Sequence, residues 1–361
     1  MLSLVSFIVV LSILVIVHEF GHFIVAKRMG VRVEKFSIGF GPEIAGITKA
    51  ETRYSISIIP LGGYVKLAGE TGAEGVKLEK WEYFSRPVGE RIKIIFAGPL
   101  LNYILAFLIF SFVFMAGSPT LTNTIGKVMP GYPAESAGLK TGDKILNING
   151  KDVVFWEDVT KIIHASRSVE MKILVGRDTE RINLLVMPKS QDMKTIFGSS
   201  KKISIIGIAP SDEVVYVKYG FLKSIYMGAE RLWTLTYITC RALWASITGA
   251  IPVKESMTGP IGIFYITGQA AKLGLVYLLQ LMGVLSASLA IFNLLPVPVL
   301  DGGHILFLII EKIRKKPVSL KIQENITQVG MGLLIVLMVF VFYNDFMRFG
   351  IFEKAAHLWK K

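Results

Sequence analysis

His18 and His22 stand four residues apart in the first apolar stretch of the chain, in the run His18-Glu19-Phe20-Gly21-His22. On a helix this spacing puts both imidazoles on one face, where they can hold a single zinc ion. Glu19 then lies close enough to take a proton from a water on that ion, an arrangement suited to hydrolysis. The setting sharpens this reading. From Leu2 to Val17 the only polar side chains are serines, and an ionisable group in hydrocarbon costs about 2.5–3.5 kcal/mol on insertion scales, so one retained there is read as functional. The competing reading is a cleaved secretory leader. No Lys or Arg precedes the apolar run and no small-x-small site follows it, so the segment is expected to stay.

A second constellation ends another apolar run: Asn293-Leu294-Leu295-Pro296-Val297-Pro298-Val299-Leu300-Asp301-Gly302-Gly303-His304. Two prolines two residues apart cannot continue a helix, and the backbone groups they free must face a cavity or other protein. Asp301 should reach a depth comparable with His22 and is a natural third zinc ligand, leaving a fourth position for water. A plain helix end or turn is the bland alternative. His304 is an alternative ligand, with a supporting role preferred. His164 and His357 fall in hydrophilic or terminal surroundings and are read as uninvolved. Zinc is preferred to iron or cobalt because two imidazoles and a carboxylate suit it.

The elements that must position these groups are membrane spans. With 361 residues, 52% of them hydrophobic, and a mean hydropathy of +0.54, the chain is too apolar for an ordinary soluble enzyme. Spans are expected at about 3–26, 92–116, 274–297 and 328–344. The net charge of +13 could suggest nucleic acid. The basic residues flank the spans instead, at Lys27 to Lys93 and at Lys312 to Lys321, so both of those loops are expected in the cytoplasm, with the termini and the stretch 117–273 outside. No nucleic-acid partner is expected. The one cysteine, Cys240, permits no internal disulfide, which leaves the redox compartment open.

Three further segments can be read locally. Tyr54 to Ile59 alternates polar and apolar residues, and Pro60 with Gly62-Gly63 turns the chain before Tyr64-Val65, so a β-hairpin is predicted over about 53–66. Its edge could accept an extended substrate by strand addition, with Ile56, Ile58, Gly62 and Gly63 as candidate contacts. A cytoplasmic hairpin without substrate contact is the alternative. Ile125 to Val153 carries short strands, turn glycines, a small helix over 133–139 and the turn pair Asn149-Gly150. Phe221 to Ile251 is interrupted by Lys223, Glu230, Arg231 and Arg241, so an amphipathic interfacial helix is predicted there.

These motifs resemble the bacterial site-2 protease family, zinc intramembrane metalloproteases of the sigma-E-regulating type with one PDZ domain. The resemblance rests on His18 to His22, Gly39-Phe40-Gly41-Pro42, Pro60 to Lys66, Phe96-Ala97-Gly98-Pro99 with Asn102, and Asn293 to Gly303. Ile125 to Val153 is similar to a PDZ domain. The resemblance implies that His18, His22 and Asp301 bind one zinc, that Glu19 is general base and acid, that Asn293 helps to hold substrate, and that the hairpin is a re-entrant β-loop beside the active site. The expected fold is an α-helical polytopic membrane protein of about four transmembrane helices, with a re-entrant β-hairpin and an inserted extracytoplasmic PDZ domain. The expected divisions are a first membrane part at 1–116, the PDZ domain at 117–212, an interfacial linker at 213–273 and a second membrane part at 274–361. The expected substrates are single-span proteins already trimmed outside, such as anti-sigma factors, or remnant signal peptides in the bacterial inner membrane. The PDZ groove could take a freshly cut peptide C-terminus, or the domain could act as a size filter or spacer. A zinc-binding scaffold or PDZ adaptor without proteolysis is the alternative. A metal transporter would need more polar side chains along several spans.

Overall fold

The computed structural model describes residues 1–70, 79–166, 168–194, 200–251 and 258–348; His357 lies outside them. The chain opens with α1 (Leu2–Arg28), about 40 Å long at 1.5 Å per residue. The long strands β1 (Val33–Lys49) and β2 (Thr52–Leu67) follow, then α2 (Val88–Ala116). A β-rich insert comes next: β3 (Ser118–Leu121), β4 (Ile125–Val128), the single turn α3 (Pro133–Ser136), β5 (Lys144–Ile148), β6 (Lys151–Asp152), α4 (Trp156–Ala165), β7 (Met171–Arg177), β8 (Glu180–Val186), β9 (Lys189–Lys194), β10 (Ser200–Ile205), β11 (Ile208–Pro210) and β12 (Val214–Val217). The chain continues through α5 (Phe221–Ile247), α6 (Pro260–Leu273), α7 (Leu275–Asn293), α8 (Asp301–Arg314) and α9 (Leu320–Arg348).

Among the described residues, α1, α2, α7 and α9 are long and apolar enough to cross a membrane. α2 starts at Val88 rather than 92, and α9 ends at Arg348 rather than 344; two further span boundaries differ with a local cause. α7 stops at Asn293 rather than 297, because Pro296 and Pro298 lie just ahead and the chain turns through residues 294–300. α9 starts at Leu320 rather than 328; its first turns carry Lys321, Gln323 and Glu324, which hydropathy excludes but helical geometry does not. The helix α6 falls within the stretch expected as an interfacial linker. Its 14 residues are too few to span. It packs along α1, its first amides are capped by Asp345 of α9 through the Gly259 and Gly262 N–H groups, and it breaks from α7 at Gly274.

The chain divides into two compact units, one of Met1–Val113, Ser224–Cys240 and Val253–Lys361, the other of Phe114–Lys223 with Arg241–Pro252. In the first, Val10 and Leu14 of α1 pack on Ile109 and Val113 of α2 and Met282 of α7. Its sheet is more elaborate than the predicted hairpin. The chain does reverse at Pro60–Gly63, but the segments on either side do not pair with each other; residues 33–38 lie between them, bonded to Arg53–Ile56 on one side and Gly63–Leu67 on the other. Residues 43–49 close the far edge against Thr52–Ser57. Ser12 of α1 donates to the Pro60 carbonyl at 2.8 Å, which fixes the Pro60–Gly63 turn beside the middle of α1.

In the second unit, β6, β5, β7 and β8 form a four-stranded sheet in that order. Ile145, Ile148, Met171, Ile173 and Val175 from its strands pack with Trp156, Val159 and Ile163 of α4, the apolar stripe of that helix. The Asn123 amide ties this core together by donating to the carbonyls of Ile145 and Val153.

Candidate active site

One face of α1 turns His18 and His22 toward the N-terminus of α8, where Asp301 is the first helical residue. Close helix packing makes room for them. A Cβ added at Gly21 would lie 2.3 Å from the Ala97 carbonyl oxygen, so α1 and α2 meet backbone to backbone at this point. A Cβ added at Gly98 would lie 2.2 Å from Nε2 of His22; the bare backbone of α2 is the space that the imidazole occupies. Pro99 follows within the same helix. On the other side, Val299 is held at φ 105° two residues before Asp301, a conformation that costs a β-branched residue about 1–3 kcal/mol and persists only where surrounding structure imposes it.

The three donor atoms converge. His18 Nε2 is 3.2 Å from His22 Nε2, and Asp301 Oδ2 is 3.1 Å from the first and 3.6 Å from the second. Ligands about 2.0–2.1 Å from a tetrahedral zinc are separated by an edge of about 3.3–3.4 Å, so the triangle has the dimensions of one face of a zinc coordination shell. Asp301 Oδ2 is buried and has no hydrogen-bond partner, an orphaned charge-bearing atom aimed at the point where a cation would sit. His22 Nδ1 lies 2.9 Å from the Ile94 carbonyl; as a donor there, it leaves the Nε2 lone pair for a metal. The residues therefore fit the ion.

Around this triangle is a cavity of about 680 Å3 that also contains Glu19, Asn293, Tyr64, Val65 and Arg91. Asn293 Nδ2 is 3.4 Å from His18 Nε2. Glu19 faces the edge of the sheet: its Cγ approaches Gly63, and Val65 lines the same cavity. His304 lines the cavity, but the clustered donors are His18, His22 and Asp301. Gly62, at φ 129°, packs against the Phe40 ring. Ile56 and Ile58 are exposed and do not line the cavity, and the Ile56 backbone is paired on both sides, with Ile38 and with Ala45.

Several residues escaped the sequence reading. Arg91 of α2 forms a buried ion pair with Glu311 of α8, beneath the rings of Tyr83 and Phe84, and so holds the helix that carries Asp301. Gln323, Glu324, Thr327 and Gln328 of α9 form a polar wall of the cavity; they recur at intervals of four, a signal that was available before the structure. In the second unit, a smaller groove of about 230 Å3 lies between α4 and Ile205–Ile208 and includes Tyr132 and His164.

A family profile for peptidase family M50 matches residues 6–337. The chain belongs to peptidase family M50. Among curated proteins, it is 35% identical to a protein of Agrobacterium fabrum named as a zinc metalloprotease, covering 95% of each chain. It is 31% identical to the regulator of sigma-E protease RseP of Escherichia coli, covering 96% of this chain and 98% of that one. A Campylobacter jejuni protein, also named as a zinc metalloprotease, is 34% identical over 94% of this chain and 92% of its own. As a member of M50, the chain is a zinc metalloprotease of site-2 protease type, in a multi-pass membrane protein with four candidate spans.

Proposed function

We propose that this protein is an intramembrane zinc endopeptidase that cuts single-span membrane proteins within or near their transmembrane segment. The observation that carries the reading is the convergence of His18, His22 and Asp301 in a cavity shared with Glu19. These three residues hold one zinc ion per chain, and when bound it supplies Lewis-acid polarisation of the scissile carbonyl and acidifies water. Glu19 accepts the proton released by the attacking water and returns it to the leaving amine nitrogen. Asn293 donates its amide to the substrate backbone. A substrate helix keeps its carbonyls bonded to amides four residues on, so it must open before attack.

Opening is assigned to the sheet. One side of Gly63–Leu67 is paired with residues 33–38, and Glu19 lies beside Gly63; a substrate strand added at the other side runs past the base. The tie from Ser12 to Pro60 supports a re-entrant position for this loop. Gly62 and Gly63 belong to that edge, whereas Ile56 and Ile58 project apolar surface from the sheet. The insert over 117–212 is read as an extracytoplasmic PDZ domain, and the groove beside α4 is its peptide site or the face of a size filter. α5 exposes Tyr226, Trp233, Tyr237 and Trp244. Their spacing of seven, four and seven forms one stripe, suited to the membrane interface. By the positive-inside rule, the basic residues flanking the spans support a reading in which the loops after α1 and before α9 face the cytoplasmic side of a bacterial inner membrane.

The test compares purified wild type with Glu19→Gln in detergent, using trimmed single-span substrates and measuring bound zinc. Cleavage by wild type alone, with one zinc in each protein, is the expected result. Zinc in both with cleavage by neither supports a scaffold; absence of zinc from both removes the site.

A further inference from the structure

We infer that Asn102 is a positioning residue for His18 and presents its side-chain oxygen to the Nδ1–H of that imidazole. The inference rests on the zinc reading of the triangle. For Nε2 of His18 to offer a lone pair, the ring proton must sit on Nδ1, and that proton needs an acceptor. The partner at Nδ1 is the Asn102 amide, 3.4 Å away through Nδ2. Two donors would then meet, while Oδ1 of the same amide is buried without a hydrogen bond. Rotation of the amide by 180° about its Cβ–Cγ bond removes both defects, because the two terminal atoms are nearly equal in size. The oxygen then accepts Nδ1–H and the tautomer of His18 is fixed.

The surroundings fix the acceptor in place. Asn102 is fully buried on α2, and its backbone carbonyl accepts the Ser286 hydroxyl of α7 at 2.7 Å. His22 is served by a main-chain carbonyl, that of Ile94; His18 is served by a side chain that a substitution can remove. Such outer partners of metal-binding histidines are worth about 10–100-fold in metal affinity.

The experiment measures zinc dissociation constants of the full-length protein in detergent, by competition with a chromogenic chelator, for wild type, Asn102→Asp and Asn102→Leu. Aspartate is an acceptor of the same shape, so Asn102→Asp is expected to bind zinc within about threefold of wild type, whereas Asn102→Leu binds about 10–100-fold more weakly. An amide that merely filled space would give the opposite order, since a buried carboxylate is harder to accommodate than Leu. Loss of affinity in Asn102→Asp, or none in Asn102→Leu, overturns the assignment; if Asn102→Leu fails to fold, the aspartate variant decides alone. A wild type that binds no zinc defeats the metal reading itself, an outcome separate from any difference among variants.

Discussion

A methyl group at position 98 has no room that His22 does not already use. Gly98→Ala is therefore expected to displace the imidazole and weaken zinc binding by at least about tenfold, in line with losses seen when a metal ligand is misoriented. Gly89→Ala, in the same helix but facing open space, is the control and should leave the chelator titration unchanged. The contrast shows what a sequence reveals about single residues. His18, Glu19 and His22 were legible because helical geometry alone sets their relation. The claim of His22 on the space at Gly98, and of His18 on Asn102, joins residues far apart along the chain, and no periodicity marks either contact.

Between elements, the buried pair of Arg91 and Glu311 links α2 to α8. Removing one partner strands the other charge, so Glu311→Leu should destabilise the helical unit by about 3–5 kcal/mol, while Arg91→Met with Glu311→Leu should recover most of that. Thermal unfolding in detergent of the wild type and both variants measures both effects. The spans were legible from hydropathy, because bilayer thickness demands long apolar runs. The start of α9 was not, because its cavity-facing side is polar. α6 was not separated from the expected helical linker because its 14 residues, Gln269 and Lys272 among them, fall short of the length that signals a span. The sheet was read as a simple hairpin because β1, rich in glycine and charge, has weak strand character in its sequence; pairing with β2 on two sides organises it.

At the scale of the molecule, each unit has its own core, and the two should respond differently to acid. Burial opposes ionisation of Asp143, but the Arg177 guanidinium and the Lys140 amide outweigh it and hold the carboxyl below the usual range. The unfolded chain binds this proton more readily than the folded one. The contribution of Asp143 is therefore complete above about pH 3.9, the ordinary carboxyl value, and is lost as pH falls through the lower folded value. Hydrogen exchange of the described insert between pH 5 and 2 should show its protection falling, and Asp143→Asn should remove that pH-dependent part. The division of the site between α1 and α8 also sets a timetable. His22 is made 279 residues before Asp301 (301 − 22), about 14–56 s at a synthesis rate of roughly 5–20 residues per second. Throughout that interval the ribosome-bound chain has two imidazoles and a base but no third ligand. On the proposed ligand set, the peptidase is inert while its first spans are being threaded into a membrane full of nascent neighbours, and it acquires its hydrolytic power only once Asp301 has been made.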